Sequence, residues 1–385
     1  MTPLPLKVDV AIVGAGPTGL ALAIGLAQRG IDFVILDALP EAQNTSRAAV
    51  IHAGTLEALR KLEIADDLIK AGIKVRNFRI RERSEILLRA DFGVLKSPTP
   101  YALMIPQDES EALMTAKLLS LGHQVQRPHK VVAIEHPIGE TILTTDSGSY
   151  IRARFVVGAD GEKSTVRTQA DIPFPGETYG SFMLADVRMA WPIAKDEVTL
   201  FFSREGTLVV APMSKDRYRV VAQRQNAPSD PTIADVQDVI DERGPETGAR
   251  VSEVLWGSRF QVHHKLADRF YQAPVILMGD AAHVHSPAGG QGMNLGLKDA
   301  VALADALQQA LESATELPLE TYGKTRRIAA EDVLRMTDRL TAVATLQNRP
   351  LRIARNAIIR TASAFPFIRR RVARTLSGAE SRNSR

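Results

Sequence analysis

Apolar residues near the start of the chain occur in short runs that predict successive structural elements. Five of the six residues in VDVAIV, which begins at Val8, are apolar and predict a short buried strand. The turn GAGPTG follows, and LALAIGLAQRG then predicts a helix whose small residues face a sheet. IDFVILDA predicts a second strand that ends at Asp37. Strand, turn, helix and strand in this order predict a βαβ unit.

The next part of the chain combines helical and strand patterns. Apolar spacing from Leu56 to Leu68 predicts a helix, and alternation from Val75 to Phe92 predicts two strands with a turn near Ser84. MIPQDESEALMTAKLLSLG predicts a helix with acidic residues in its first turn. The segment from Val131 to Gly161 predicts three strands separated by polar turns.

The region from Pro173 to Gln261 is richer in strand patterns, and one helix, IADVQDVIDERG, interrupts it. This texture predicts an antiparallel sheet inserted between pieces of the first domain. From Ala273 onward a strand, a glycine-rich loop and a long helix return the chain to that domain, and the remainder is helical. A length of 385 residues agrees with two domains. The strands and helices that alternate in the first domain predict the α/β fold class.

Composition excludes several kinds of site. The chain has no cysteine, which rules out disulfides, thiolate metal sites and a cysteine nucleophile, and no metal centre is expected. The N-terminal residues MTPLPLKVDV do not resemble a signal peptide, and no apolar run approaches the ~20 residues of a membrane span. These features are compatible with a cytoplasmic location.

Charge is distributed unevenly along the chain. The net charge is +4, but residues 349–385 contain ten arginines and one acid, so the rest is mildly acidic and nucleic-acid binding is not expected. The basic tail predicts a final helix that packs on the protein's own surface or on a dimer partner, in a monomer or homodimer. Contact with an anionic membrane is the alternative. The apolar side of this helix is expected to carry Ile353, Ile358, Ile359, Phe365 and Ile368.

The glycines of the first turn match the spacing G-x-G-x-x-G and predict a site for a dinucleotide. Gly14 permits the tight turn, Gly16 leaves room for a pyrophosphate, and Gly19 lets helix and strand pack closely. The N-terminus of the following helix attracts the anion. Asp37, eighteen residues after Gly19, is placed to accept hydrogen bonds from a ribose.

Two later segments make this prediction more specific. VVGADGEKSTVR, from Val156 to Arg167, places a tight turn after a buried strand and before a helix. LMGDAAHVHSPAGGQGMN, from Leu277 to Asn294, leads from a strand through a glycine-rich loop into another helix. A plain NAD dehydrogenase would not need either segment in these places.

Together with SRAAVIHAGTLEAL and IPQ, these motifs resemble the single-component flavoprotein monooxygenases of the p-hydroxybenzoate hydroxylase type, especially the branch that hydroxylates phenols and polyketides. The resemblance covers most of the chain from Val8 to about Leu307. It implies an FAD-binding Rossmann-like domain with an inserted antiparallel substrate-binding sheet and C-terminal helices. The implied boundaries are FAD-binding segments 1–74, 99–172 and 263–348, substrate-domain segments 75–98 and 173–262, and a basic tail at 349–385.

The resemblance also implies FAD, NADPH or NADH, O2 and a small aromatic substrate, with an electrophilic flavin C4a-hydroperoxide attacking the substrate. By this resemblance Asp37 binds the ribose, Arg47 and Gln107 contact the phosphate and ribityl region, Asp160 serves both cofactors, and Asp280 binds the ribityl chain. The residues expected to bind cofactor are Gly14, Gly16, Pro17, Thr18, Gly19, Asp37, Ala38, Arg47, Gln107, Asp160, Gly161, Gly279, Asp280, Pro287, Gly289, Gly290, Gly292, Met293 and Asn294.

No side chain is obliged to act as a nucleophile or acid in this chemistry, so the catalytic residues stay unassigned. His283 and His285 are candidate bases by their closeness to the flavin loop, and a structural role for both is the alternative. Candidates for the substrate pocket are Met183, Trp191, Phe201, Met213, Arg219 and Phe260. Their apolar character favours a larger aromatic or polyketide-like substrate over a small anionic acid.

Several alternatives share parts of this pattern. Many relatives on this branch carry a C-terminal thioredoxin-like domain, for which the chain leaves no room. A flavin halogenase would carry W-x-W-x-I-P, and neither Trp191 nor Trp256 lies in such a segment. A Baeyer–Villiger monooxygenase, an epoxidase, a reductase or a non-catalytic FAD-binding regulator stays open.

Overall fold

The computed structural model describes residues 4–42, 48–136, 140–214, 216–286 and 289–378. The strands within these ranges are β1 (Lys7–Val13), β2 (Phe33–Leu36), β3 (Val50–Ile51), β4 (Ile73–Val75), β5 (Asn77–Glu82), β6 (Glu85–Asp91), β7 (Ala102–Met104), β8 (Val131–Glu135), β9 (Thr141–Thr145), β10 (Tyr150–Gly158), β11 (Gly176–Ala190), β12 (Glu197–Phe201), β13 (Leu208–Pro212), β14 (Arg217–Gln223), β15 (Arg250–Leu266), β16 (Tyr271–Gln272), β17 (Val275–Leu277) and β18 (His283–Val284). The helices are α1 (Pro17–Gln28), α2 (Ala53–Leu59), α3 (Ala65–Ala71), α4 (Gln107–Ser120), α5 (Thr165–Gln169), α6 (Ile233–Arg243), α7 (Gly292–Ser313), α8 (Leu317–Ala344), α9 (Arg349–Ala364) and α10 (Pro366–Leu376). None of these helices is long and apolar enough to cross a membrane.

The predicted βαβ unit lies at the centre of a seven-stranded sheet. Its main path runs β16–β17–β10–β1–β2, and β9 joins β10 and leads to β8. Strand β1 pairs in parallel with both β10 and β2, and Val10, Ala11 and Ile12 are completely buried. Helix α1 packs against α7 in the same core. The predicted Rossmann-like unit is therefore confirmed.

The second large sheet has eight strands in the order β18–β15–β11–β14–β13–β12–β5–β6. Neighbouring strands are antiparallel except for β12 and β5, which pair in parallel. One face of the sheet packs against α6, and the other faces the first domain. A small sheet, β3–β7–β4, lies beside them.

Two helical predictions differ from the structure. The segment from Leu56 to Leu68 is divided between α2 and α3, because Glu63 adopts a left-handed conformation with φ of +53°. The single basic helix predicted for the tail is instead two helices, α9 and α10. Phe365 between them is extended, which agrees with its position before Pro366, where a helical conformation is disfavoured. The turn near Ser84 and the three strands after Val131 are confirmed.

Candidate active site

A cavity of about 690 Å³ lies between the two large sheets. The carboxyl ends of β1, β2, β10 and β17 and the loops that follow them form one side, and the apolar face of the eight-stranded sheet forms the other. Ligands of parallel α/β sheets bind at the carboxyl ends of the strands. The geometry therefore joins a nucleotide-type site and an apolar pocket in one continuous space.

The glycine turn after β1 forms the cradle at one end of this cavity. Gly14 has φ of +102°, and a Cβ atom there would lie 2.3 Å from the Ala159 carbonyl oxygen, so no larger residue fits. A Cβ atom on Gly19 would lie 2.0 Å from the Gly14 oxygen. Gly16 differs, because a Cβ atom there would have no neighbour within 4 Å. Gly16 thus keeps open a space that belongs to the cavity.

Asp37 lies at the carboxyl end of β2 and lines the cavity, as do Pro17, Thr18 and Ala38. Its Oδ2 accepts a hydrogen bond of 2.7 Å from the Ala15 N–H, and its Oδ1 accepts one of 2.8 Å from Arg127 Nη1. Sequence reasoning missed Arg127, because no motif marks it. The ion pair positions the Asp37 carboxylate at the rim.

Gln107 begins α4 and contacts the loop before β3. Its Oε1 accepts a hydrogen bond of 3.2 Å from the Ala48 N–H, and its Nε2 donates to Glu111 at 2.8 Å. Burial raises the pKa of Glu111. Gln107 lines the cavity, whereas Arg47 lies outside the described residues.

Asp160 follows β10 and lines the cavity beside Gly161. Its Oδ2 accepts the Thr165 N–H at 2.7 Å, and its Oδ1 accepts the Ser164 hydroxyl, so the carboxylate caps α5. Burial raises the pKa of Asp160, although these hydrogen bonds oppose the shift. Much of the hydrogen-bonding capacity of Asp160 is thus used to shape its own loop.

Arg167 joins the two later sequence motifs. Its guanidinium donates to the Ala281 carbonyl at 2.9 Å and to the Glu162 carbonyl at 2.8 Å, and it lies 3.9 Å from the centroid of the Phe174 ring. The loops after β10 and β17 are therefore fixed relative to each other.

A buried ionic network anchors the loop after β17. Asp299 accepts hydrogen bonds of 2.7 Å from both His283 Nε2 and Arg326 Nε, and a longer one of 3.3 Å from the Gly279 N–H. Burial raises the pKa of Asp299, but Arg326 and His283 together lower it below its usual value. Asp280, the next residue in the loop, lines the cavity. This arrangement gives His283 a structural role.

The glycine-rich loop before α7 lines the cavity through Gly289, Gly290, Gly292 and Met293. Asn294 lies behind the loop, where its Nδ2 donates to the carbonyls of Val50 and Gly290 and its Oδ1 accepts the His52 N–H. Asn294 thus holds the loop against β3 and does not line the cavity. Pro287 is outside the described residues.

His52, His129, His283 and His285 line the cavity, and two of them, His52 and His285, are uncharged. Burial lowers the pKa of His52 and that of His285 to about 4. His52 Nε2 donates to the Gly289 carbonyl at 2.8 Å, and His285 Nδ1 donates to the Ser286 carbonyl at 2.9 Å. The other ring nitrogen of each is buried and has no partner among the described residues. No feature of the sequence marks His52 as a cavity residue beyond its place in SRAAVIHAGTLEAL.

Four of the six residues predicted to line the substrate pocket do not line the cavity. Met183, Trp191 and Phe201 lie on the opposite face, in the core beneath α6, and Met213 lies in a separate buried cluster. Side chains alternate along strands, so the neighbouring positions line the cavity instead. Arg219 and Phe260 do line it, together with Phe78, Phe92, Leu184, Val198, Leu200, Val209, Ala211 and Val221.

Arg219 is the polar feature of this apolar wall. Its Nε and Nη2 donate to the two oxygens of Asp186 at 2.7 and 2.9 Å, and its Nη1 donates to the Ala48 carbonyl at 2.9 Å. Arg217 donates to the same Asp186 carboxylate at 2.6 Å. Both Arg219 and Asp186 are buried, so the charge of Arg219 is compensated within the wall.

The last helix closes one edge of the cavity. Leu376 at the end of α10 lines it, and the Leu376 carbonyl accepts a hydrogen bond of 3.2 Å from Gln291 Nε2. The Gly54 N–H donates to the Ser377 carbonyl at 3.1 Å, and Lys298 Nζ donates to the Gly378 carbonyl at 2.5 Å. The end of α10 is therefore fastened to both α2 and α7.

These features fit FAD. The open space at Gly16 gives a pyrophosphate room to approach the backbone, and the N-termini of α1 and α7 both open on the same cavity. Neither helix has an acidic residue in its first turn, so both ends attract negative charge. The α7 terminus lies beside the glycine-rich loop, where it suits the pyrimidine edge of a flavin.

Comparison with known proteins gives the same assignment. A family described as an FAD binding domain matches residues 7–337. The chain is 33% identical to an uncharacterized aromatic compound monooxygenase, YhjG, of Bacillus subtilis, over 98% of this chain and 76% of that protein. It is 34% identical to 12-dehydrotetracycline 5-monooxygenase/anhydrotetracycline 6-monooxygenase of Streptomyces rimosus, over 86% of this chain and 69% of the relative.

A solved structure agrees at the level of the fold. The p-nitrophenol 4-monooxygenase PnpA of Pseudomonas putida superposes with a TM-score of 0.84, at 24% identity, over 98% of this chain and all of that one. The motifs, the cavity and the sequence relatives together identify the activity class. The chain belongs to the FAD-binding domain family and, within it, to the FAD-dependent aromatic monooxygenases.

Proposed function

We propose that the protein uses NADPH or NADH and O2 to hydroxylate a phenolic or polyketide-like aromatic substrate. The observation that carries this proposal is the single cavity that joins the glycine cradle to an apolar sheet face. FAD, when bound, passes electrons from the nicotinamide to O2 and so supplies the oxidising chemistry. The protein binds both partners and excludes water between them.

One side of the cavity binds the cofactor, and the other side binds the substrate. Gly14, Gly16 and Gly19 with Asp37 hold the adenosine and pyrophosphate end, and Gln107 with Arg47 contacts the phosphate and ribityl region. Asp160 and Asp280 contribute from the other two loops, and the residues from Pro287 to Met293 run along the flavin. Segments 75–98 and 173–262 form the substrate domain, and the cysteine-free chain suits a cytoplasmic location.

The wall of the pocket favours an uncharged aromatic ring over a small anionic acid. Phe78, Leu184, Leu200 and Phe260 present apolar surface, and Arg219 is already paired with Asp186. A free carboxylate would have to compete with Asp186 for this guanidinium. Anhydrotetracycline, named as the substrate of one relative, is a polycyclic phenol, and the proposal extends that substrate class to this chain.

Anaerobic reduction of the flavin tests the activity. Purified protein with bound FAD is mixed with NADH or NADPH in the presence of phenols and polycyclic quinones. We expect one compound class to accelerate bleaching many-fold, and admission of air to yield an oxygenated product. Bound FAD that neither nicotinamide reduces, with any compound, would refute the single-component hydroxylase and favour a partner-reduced enzyme or a regulator. An epoxide, an inserted ester oxygen or a saturated product would identify one of the other flavin reactions.

Two glycine variants test the cradle separately from the fold. Gly16→Val places its side chain in open space at an ordinary φ of −73°, so the FAD-free protein should keep its melting temperature while the affinity for FAD falls at least tenfold. Gly14→Ala is the contrasting control, since its Cβ atom clashes with Ala159 and its φ is strained. It should destabilise the apoprotein. Unchanged FAD binding by Gly16→Val would place the pyrophosphate elsewhere.

A further inference from the structure

Helix α9 exposes most of the apolar side that an ordinary surface helix buries. Leu351, Ile353 and Ile358 on its outer face are 55%, 61% and 67% exposed. Ala354, Ala357 and Ala364 are exposed as well, whereas Ile359 is partly buried against the core. The predicted apolar side is thus split, and its larger part faces outward. Amphipathic helices in globular proteins normally bury this face.

The polar residues of α9 explain its orientation, because they hold the helix against strands β5 and β6. Arg355 is buried, donates to Glu82 at 3.0 Å and lies 5.0 Å from the centroid of the Phe202 ring. Arg360 forms an ion pair with Glu85. These contacts place the charged side inward and leave the apolar side unpaired with any described element.

Helix α10 continues the exposed surface and adds positive charge. Phe365 and Phe367, at the junction of the two helices, are 51% and 64% exposed. Arg370, Arg371 and Arg374 are exposed beside them, and none forms an ion pair within the described part of the chain. We name this the α9–α10 surface, defined by Leu351, Ile353, Ile358, Phe365, Phe367, Arg370, Arg371 and Arg374.

We propose that the α9–α10 surface binds the surface of an anionic phospholipid bilayer. Exposed aliphatic and phenylalanine side chains insert at the acyl boundary, and neighbouring arginines pair with anionic headgroups. Residues 349–378 contain no aspartate or glutamate. A second copy that paired this surface with itself would therefore bring two arginine clusters together without a compensating acid. A nucleic acid would leave the apolar face of α9 unburied.

Helix α10 connects this surface with the cavity. Helix α10 begins beside Phe365 and ends at Leu376 in the cavity wall. A poorly water-soluble aromatic compound dissolved in the membrane would be concentrated close to the site. The binding proposal itself does not depend on the proposed hydroxylation, and its test measures no turnover.

Vesicle co-sedimentation of the full-length flavoprotein tests the proposal. Vesicles of phosphatidylcholine alone are compared with vesicles containing phosphatidylglycerol, at low and high salt. We expect binding to the phosphatidylglycerol vesicles, with weaker binding at high salt. The variant Arg370→Gln/Arg371→Gln/Arg374→Gln should weaken it roughly 100-fold, since each arginine near an anionic surface contributes severalfold.

A second variant and a matched control separate the apolar contribution. Ile353→Ser/Ile358→Ser/Phe367→Ser should weaken binding at least tenfold, while Leu119→Ser/Ile328→Ser, at exposed apolar residues elsewhere, should leave it unchanged. Retained FAD and an unchanged melting temperature show that each variant is folded. Absence of binding, or equal binding to both vesicle types, overturns the proposal. A dimer in light scattering that the apolar variant dissolves would identify a second copy as the occupant instead.

Discussion

Replacing Asp186 by asparagine removes the carboxylate that compensates Arg219 in the cavity wall. The change keeps the size of the side chain and removes its charge. Arg219 is then left buried at 2% exposure, where its Nη1 still donates to the Ala48 carbonyl at 2.9 Å. We expect a large loss of stability, because the guanidinium would stay buried without its compensating carboxylate.

The magnitude follows from the geometry of the pair. Asp186 accepts two hydrogen bonds from Arg219, at 2.7 and 2.9 Å, and one from Arg217 at 2.6 Å. Removing one partner of a buried ion pair costs about 3–5 kcal/mol. For a large domain each kcal/mol corresponds to about 2 °C, so the melting temperature of Asp186→Asn should fall by roughly 6–10 °C.

Thermal unfolding followed by circular dichroism measures the effect, and an exposed ion pair on the same sheet provides the control. Arg188 and Glu253 are about half exposed, so Glu253→Gln should cost less than about 1 kcal/mol. The double variant Asp186→Leu/Arg219→Met should recover much of the loss, since apolar side chains can replace a buried pair. A melting temperature for Asp186→Asn within 1 °C of the parent would refute the reasoning.

Two further predictions concern the two uncharged histidines of the cavity and the buried carboxylate of Asp299. The pKa values of His52 and His285 are about 4, below the ordinary 6.5. Between these two pH values the unfolded chain therefore binds more protons than the folded protein. Stability should therefore be full above about pH 7 and fall by about 3 kcal/mol for each histidine as the pH approaches 4. Urea unfolding across this range measures the slope, which His52→Gln/His285→Gln should flatten; an unchanged slope would assign it to other groups. Asp299→Asn should cost about 3–5 kcal/mol and release FAD, because Arg326 stays buried and the loop at Gly279 loses its anchor. Asp332→Asn, at an exposed ion pair on α8, is its control in the same melting and flavin-fluorescence measurements, and equal behaviour of the two would contradict the anchoring role.

The loops of the nucleotide side were predictable from sequence because their constraints are local. Gly14 and Gly19 are required by backbone contacts within a few ångströms, and such contacts leave a recognisable spacing in the chain. Asn294 shows the limit of this reasoning. It is the last residue of the motif, yet its side chain contacts the backbone of Val50 and His52 from a distant part of the sequence, so only the fold reveals its contacts.

The pocket wall was harder to predict because alternation alone does not say which face of a strand is inside. Both faces of the eight-stranded sheet are apolar, one against α6 and one against the cavity. Met183 and Leu184 are therefore both apolar in the sequence, yet their side chains lie on opposite faces of the sheet. The same holds for Phe201 and Leu200. The tail presented a similar problem, since Ile358 and Ile359 have the same hydrophobicity and different surroundings.

The attachment of Leu376 to the cavity wall has a consequence for biosynthesis. The glycine cradle is synthesised first, yet the edge of the cavity closes only when the end of α10 reaches Gly54 and Gln291. A nascent chain still inside the ribosomal exit tunnel at this point has an open site. Stable retention of the flavin should thus begin only when the end of α10 has left the exit tunnel and reached Gly54 and Gln291.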